Sequence, residues 1–284
     1  MNTILSIQSS VSYGHVGNSS VVFPLQRLGF NVWPINTVQF SNHTGYGAWK
    51  GDIFEPQHIS DVFAGIKERG VIEQCNAMLT GYMGTAKLGN VMQDILKELI
   101  VVNPNVLYCC DPVMGDVGRG FFVQPGIPEY FRDQLVPKAH IITPNQFELE
   151  YLSDTKVTDL ASAIAACRKL ILCSSKTVLV TSLILENNAN EYIHMLVVNA
   201  KDAYLVKTPL LPLSVNGAGD LTAALFTAFY LPKKDIKAAI EACASRVYAV
   251  LEKTVKEGTR EIQLVQSQDA LINPPKIFTA EKVS

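Results

Sequence analysis

Two kinds of hydrophobic run alternate along the chain. Short, nearly continuous apolar stretches mark strands buried on both faces, and longer stretches with apolar residues three and four apart mark amphipathic helices. Thr3 to Gln8 reads as a buried strand, Gly14 to Asn18 as a turn, and Ser19 to Leu28 as a helix ending at Gly29. Asn31 to Phe40 is a second strand, and Ser41 to Asp52 is polar, glycine-bearing and fits no element. A helix follows from Pro56 to about Arg69, a brief strand at Ala77 to Thr80, and a helix from Thr85 to about Val102. Val106 to Asp111 is a strand, Pro112 to Gly120 a glycine-rich loop, and Ile127 to Leu135 a helix. Ile141 to Thr143 is a strand leading to Asn145, a good helix cap, and Ala161 to Leu172 is helical. Three strands then succeed one another, Thr177 to Leu183, Glu191 to Val198 and Ala203 to Lys207, the last two joined as a hairpin through Asn199 to Asp202. Apolar helices from Gly217 to Tyr230 and Lys234 to Glu257 follow, and the tail from Gln266 reads as loosely structured.

Strand–helix alternation predicts an α/β protein with a central, mostly parallel sheet and helices on both faces. The late strands predict an antiparallel extension at one edge. No repeat, low-complexity segment or linker divides the chain, so residues 1–284 are expected to form one domain.

Composition narrows the function. The chain is 48% hydrophobic and 18% charged, as expected of a globular enzyme. Lys and Arg number 24 against 26 Asp and Glu, for a net charge of -2, which gives nucleic acid no basic stripe to bind. No apolar run is long enough to span a membrane. Met1 to Ser10 lacks a basic region and reads as a strand, not a signal peptide. None of the six cysteines forms a CxxC pair; they read as buried thiols of a reducing compartment, and a cytoplasmic location is expected.

The P-loop, Rossmann, GxSxG and HExxH patterns are absent; Gly217-Ala218-Gly219 lacks the third glycine of GxGxxG. The informative segment is Asn216-Gly217-Ala218-Gly219-Asp220-Leu221-Thr222, which opens an apolar helix. Its glycines allow a tight turn, and its first N–H groups form an anion site. Asp220 alone could be a dipole-friendly cap. A carboxylate beside backbone donors is also what phosphoryl transfer to an alcohol needs, a base for the hydroxyl proton and donors for the moving charge.

This segment resembles the anion-hole and catalytic-aspartate signature of the ribokinase-like superfamily. Five further stretches, in order, resemble the pyridoxal kinases: Ile7 to Asn18, Asn36 to Thr44, Thr80 to Gly84, Asp111 to Gly115 and Thr143 to Glu150. The resemblance covers nearly the whole chain. It implies a ribokinase-like fold and ATP-dependent phosphorylation of the 5'-hydroxymethyl group of pyridoxal, with pyridoxine and pyridoxamine as further acceptors. By the same resemblance Ser9, Thr44, Gly45 and Tyr82 would contact the vitamer. Asp111, Thr143, Asn145, Glu148 and Thr181 would line the nucleotide site, with Asp111 and Glu148 near Mg²⁺ and K⁺ as a second cation. Asp220 would be the base, at the vitamer hydroxyl, and Gly217, Ala218 and Gly219 the anion hole. A homodimer is implied.

Four positions depart from the family pattern. Gly45 stands where relatives often carry glutamine, and Phe121 where some carry cysteine. Thr181-Ser182 replaces a Lys-His pair, and Leu210 to Val215 is short and lacks arginine. Two other readings compete. A hydroxymethylpyrimidine kinase of the same fold would take a similar acceptor, against which Asn36 to Thr44 speaks. A B6-binding protein of low turnover rests on the Thr181 departure and the missing arginine alone.

Overall fold

The computed structural model describes residues 2–173, 177–185 and 191–284. In chain order the first half comprises β1 (Thr3–Val11), α1 (Asn18–Arg27), β2 (Asn31–Phe40), β3 (Gly51–Ile53), α2 (Pro56–Glu68), β4 (Cys75–Thr80), α3 (Leu88–Val102), β5 (Leu107–Cys110), β6 (Gly115–Asp116), β7 (Gly120–Phe121) and α4 (Ile127–Tyr130). Then follow β8 (Ile141–Ile142), α5 (Gln146–Ser153), α6 (Leu160–Cys173), β9 (Thr177–Leu183), β10 (Tyr192–Asn199), β11 (Ala203–Pro209), α7 (Ala218–Lys233), α8 (Ile236–Glu257), α9 (Gln268–Ile272) and β12 (Glu281–Lys282).

Ten strands form one sheet in the order β12-β11-β10-β9-β8-β5-β4-β1-β2-β3. Its six central strands, β2 to β9 in that order, are parallel, while β3 and β10 to β12 add antiparallel edges. Alternate side chains of the central strands enter two separate cores. Leu5, Ile7, Met78, Tyr108 and Val178 pack with α2, α3, α5 and α6, and Ile4, Leu79, Leu107 and Leu179 pack with α1, α7 and α8. With both faces covered, the central strands need no polar alternation, which is why they read as continuous apolar runs.

The structure differs from the sequence expectation in four places. The Pro112 to Gly120 loop contains β6, which pairs with β7 as a small hairpin. Ser41 to Asp52 is partly ordered: Thr44–Tyr46 is a 3₁₀ turn, and β3 pairs with β2. The Ile127 to Leu135 helix is α-helical only over α4 and continues as a π-turn over Phe131–Leu135. The tail is not loose. Leu271 is fully buried, Phe278 and Ala280 pack against the same core, Arg246 donates to the Leu271 and Ile272 carbonyls, and β12 pairs with β11. Widely spaced single apolar anchors carry no periodicity, so this order is invisible to pattern reading.

No helix among the described residues is long and apolar enough to cross a membrane. Cys75, Cys109, Cys110, Cys167 and Cys243 are free and buried, and the Cys173 side chain lies outside the described residues. In parallel sheets ligands bind beyond the carboxyl ends of the strands, where the connections diverge to either side. Here β1 is that strand, flanked by β2 and β4.

Candidate active site

Beyond those strand ends lies a cavity of about 390 Å³. Ser9, Thr44, Tyr82, Asp111, Thr143, Asn145, Glu148, Thr181, Gly217, Ala218, Gly219 and Asp220 all line it. Gly45 does not. Its N–H donates to His43 Nδ1 (3.0 Å) and its carbonyl accepts from Arg260 (2.7 Å), so its backbone groups are engaged in the turn beside the lining residues His43 and Thr44.

The start of α7 is set by Gly217. Its φ of +87° is left-handed, and a Cβ there would stand 1.8 Å from the His15 carbonyl oxygen. Only glycine meets both conditions. Gly219 is different: a Cβ there would meet nothing within 4 Å, because the position opens into the cavity. The first-turn N–H groups of α7 have no carbonyl of their own helix to bond, and Gly217, Ala218 and Gly219, which begin it, line the cavity. Asp220 sits in that same turn, and its carboxylate accepts from the Gly17 backbone N–H and from its own. Burial nevertheless raises its pKa above the ordinary carboxylate value.

Two more carboxylates approach from the sheet. Asp111, just beyond β5, is 4% exposed and accepts a 2.9 Å hydrogen bond from the Thr143 hydroxyl. Burial raises its pKa well above the usual value, and the negative charges of Glu148 and Asp220 push it further. Glu148 and Asn145 form a reciprocal capping box at the start of α5. One Glu148 oxygen accepts from Asn145 N (2.9 Å) and the other from Met114 N (3.0 Å). Burial drives its pKa to about 8 against these bonds. Glu148 therefore ties the loop after β5 to α5, an anchoring role that its sequence position did not reveal. Asn145 strengthens the tie by donating to the Gly115 carbonyl (2.8 Å).

Among the described residues no three His, Cys, Asp or Glu side chains gather into a metal cage. Mg²⁺ does not require one, since it is held by one or two carboxylates with waters and phosphates. Two buried acids, Asp111 and Glu148, and the half-buried Asp220 face one cavity with little cationic compensation, which fits such an ion.

Sequence reasoning missed Arg119, His43 and Phe122. Among the described residues Arg119 is the only Lys or Arg in the lining. It sits on the small hairpin of β6 and β7, its guanidinium 5.5 Å from the Phe122 ring centre. A lone cation inside the glycine-rich loop was the available signal. His43 accepts the Gly45 N–H and so caps the 3₁₀ turn that carries Thr44. Phe121 packs edge-to-face on Phe147 (5.0 Å) and Tyr151 (5.1 Å), fastening the hairpin to α5, while Phe122 takes the place at the cavity.

A doubly covered, mostly parallel sheet with this helix start at its carboxyl edge is a ribokinase-like α/β fold. The family described as phosphomethylpyrimidine kinase matches residues 56–265. The chain is 54% identical over 282 residues to the pyridoxal kinase PdxY of Rubrobacter xylanophilus, covering 99% of this chain and 97% of that one. It is 48% identical over 286 residues to the pyridoxal kinase PdxY of Deinococcus radiodurans, covering 99% and 96%. Its fold is similar to that of the Leishmania donovani pyridoxal kinase in complex with ADP and pyridoxamine, at a TM-score of 0.93 and 28% identity over the full length of both. The chain belongs to the pyridoxal kinase family.

Proposed function

We propose that this protein transfers the γ-phosphoryl group of ATP to the 5'-hydroxymethyl group of pyridoxal, giving pyridoxal 5'-phosphate and ADP, with pyridoxine and pyridoxamine as further acceptors. The observation that carries the reading is the Asp220 carboxylate beside the open first turn of α7, at the junction of two sets of lining residues. On one side are Ser9, Thr44 and Tyr82, suited to a hydroxylated aromatic ring. The other set is Asp111, Thr143, Asn145 and Thr181, suited to a nucleotide, with Arg119 in the same lining and within electrostatic reach of His43.

In this reading the vitamer hydroxyl lies against Asp220, whose raised pKa makes it a stronger base than an ordinary carboxylate. The N–H groups of Gly217, Ala218 and Gly219 stabilise charge on the phosphoryl group in flight. Mg²⁺, held by Asp111 and by Glu148 through water, would neutralise the phosphates, and K⁺ would be a second cation. Arg119 supplies the positive charge that Thr181 does not. The hairpin bearing it is placed to exclude water from the reacting groups. A cytoplasmic homodimer completes the reading.

The test is a coupled ADP-release assay with ATP·Mg²⁺ over pyridoxal, pyridoxine, pyridoxamine and hydroxymethylpyrimidine. Turnover fastest on a B6 vitamer is expected. Preference for the pyrimidine would move the acceptor to the alternative, and no turnover on any would refute the kinase reading.

A further inference from the structure

The segment after α8 brings one carboxylate into the middle of the loops that surround the vitamer side of the cavity. Glu261 accepts a 3.0 Å hydrogen bond from the His15 N–H through one oxygen and a 2.6 Å bond from the Tyr46 hydroxyl through the other. Its backbone pairs with that of Asn216 in a parallel bridge, immediately before Gly217. The preceding Arg260 lies 4.0 Å from the Tyr46 ring centre and donates to the Gly45 carbonyl (2.7 Å). The following Ile262 is fully buried, its Cδ1 3.3 Å from where a Gly217 Cβ would be. The chain makes room for this carboxylate: Gly14 has φ +89°, and a Cβ there would stand 2.0 Å from Glu261 Oε2.

Three loops meet at Glu261, and each carries a different part of the site. The loop after β1 presents the Gly17 N–H to Asp220, and its His15 carbonyl packs against Gly217. The 3₁₀ turn at Thr44–Tyr46 carries Thr44 to the cavity. The bridge at Asn216 sets the entry to α7. Glu261 itself does not line the cavity. Its hydrogen bond holds the Tyr46 phenol in the protonated, donating form, with its pKa raised to about 12.

We propose that Glu261 is a positioning residue that fixes the vitamer-binding loops against the catalytic helix, acting through Tyr46 and His15 without touching either substrate. This rests on the kinase reading above. It assigns the vitamer affinity of the site in part to a residue more than 200 positions away in sequence from the turn it holds, 215 for Tyr46 and 246 for His15. Its hydrogen bonds and backbone bridge reach none of Asn145, Thr181 or Arg119, and it meets the Arg119 hairpin only electrostatically, through the His43 ring on which both Glu261 and Arg119 act.

The experiment compares KM for pyridoxal and for ATP in wild type, Glu261→Ala, Glu261→Gln, Tyr46→Phe and the double variant Tyr46→Phe with Glu261→Ala. Loss of hydrogen bonds to a charged acceptor predicts a rise of roughly tenfold or more in KM for pyridoxal in Glu261→Ala, with KM for ATP within about twofold. Tyr46→Phe raises KM for pyridoxal by less, and the double variant is no worse than Glu261→Ala, because the two changes remove the same bond. Should Glu261→Ala fail to fold, Glu261→Gln and Tyr46→Phe make the same comparison. Equal rises in both KM values, no change in either, or multiplicative effects in the double variant would overturn the proposal. Pyridoxal turnover by wild type without the split would refute only this inference. No wild-type turnover would remove the kinase reading and this inference with it.

Discussion

Glu148 offers a test of the site's electrostatics that needs no substrate. It is 4% exposed, and burial raises its pKa from the ordinary 4.5 to about 8. Between those values the folded protein holds a proton that the unfolded chain has released. Folding stability therefore falls as pH rises through that window, the reverse of the usual salt-bridged carboxylate. Two histidines act oppositely at the acid end, since burial lowers His43 and His194 below 6.5, so their contribution grows with pH until about that value. From pH 6.5 to 8 the carboxylate effect stands clear. At about 1.36 kcal/mol per pH unit, reduced as the folded group itself begins to ionise, the buried site holding Glu148 loses on the order of 2 kcal/mol over that interval. Asp111 and Asp220, raised for the same reason, act with the same sign.

Urea denaturation of the ligand-free protein at pH 6.5, 7.2 and 8 measures this directly. Glu148→Gln is the control. The amide cannot ionise, so the Glu148 part of the slope disappears. It can accept only one of the two N–H bonds from Asn145 and Met114, so overall stability drops by about 1–3 kcal/mol. Wild-type stability that stays flat or increases from pH 6.5 to 8 would refute the argument, as would an unchanged slope in Glu148→Gln.

Three further outcomes are expected. Asp220→Ala lowers kcat by about 10²–10⁴ while calorimetry still detects pyridoxal binding, and near-normal turnover would reassign the base. Gly217→Ala loses the left-handed turn at a cost of about 1–2 kcal/mol, and more from the contact with the His15 carbonyl, seen as a lower Tm together with lost activity. Phe121→Ala removes two edge-to-face contacts worth about 0.5–1.5 kcal/mol each, so the hairpin loosens. KM for ATP then rises several-fold, and proteolysis between residues 115 and 121 accelerates.

The parts of this protein that were legible in its sequence are those with a local signature. Runs such as Val106 to Asp111 and Thr177 to Leu183 announce central strands because both their faces are buried. Asn145 announced its helix because a cap acts within three residues, and the structure adds the reciprocal bond from Glu148. The Gly217 to Asp220 segment could be read because a glycine turn into a helix is local too. What stayed hidden depends on distant partners. The bonds that tie the Gly45 backbone to His43 and to Arg260, the latter 215 residues away, carry no local signature. Arg119 and His43 reach the lining only because a hairpin and a 3₁₀ turn carry them there. The tail past Gln266 looked loose because its apolar anchors, Leu271 and Phe278, are too far apart to form a period.

The pairing of β12 with β11 has a consequence for how the molecule is made. Until Glu281 and Lys282 emerge from the ribosome, the outer side of Ala203–Pro209 is a bare row of peptide groups beside an otherwise finished sheet. A neighbouring nascent chain could dock there as an extra strand. The Lys282–Asp202 ion pair (2.6 Å) and the Val283 and Ala203 backbone bonds latch the protective strand once it arrives. Shortening the chain by its last half-dozen residues should therefore leave catalysis intact in whatever folds, while sending more of the newly made protein into aggregates.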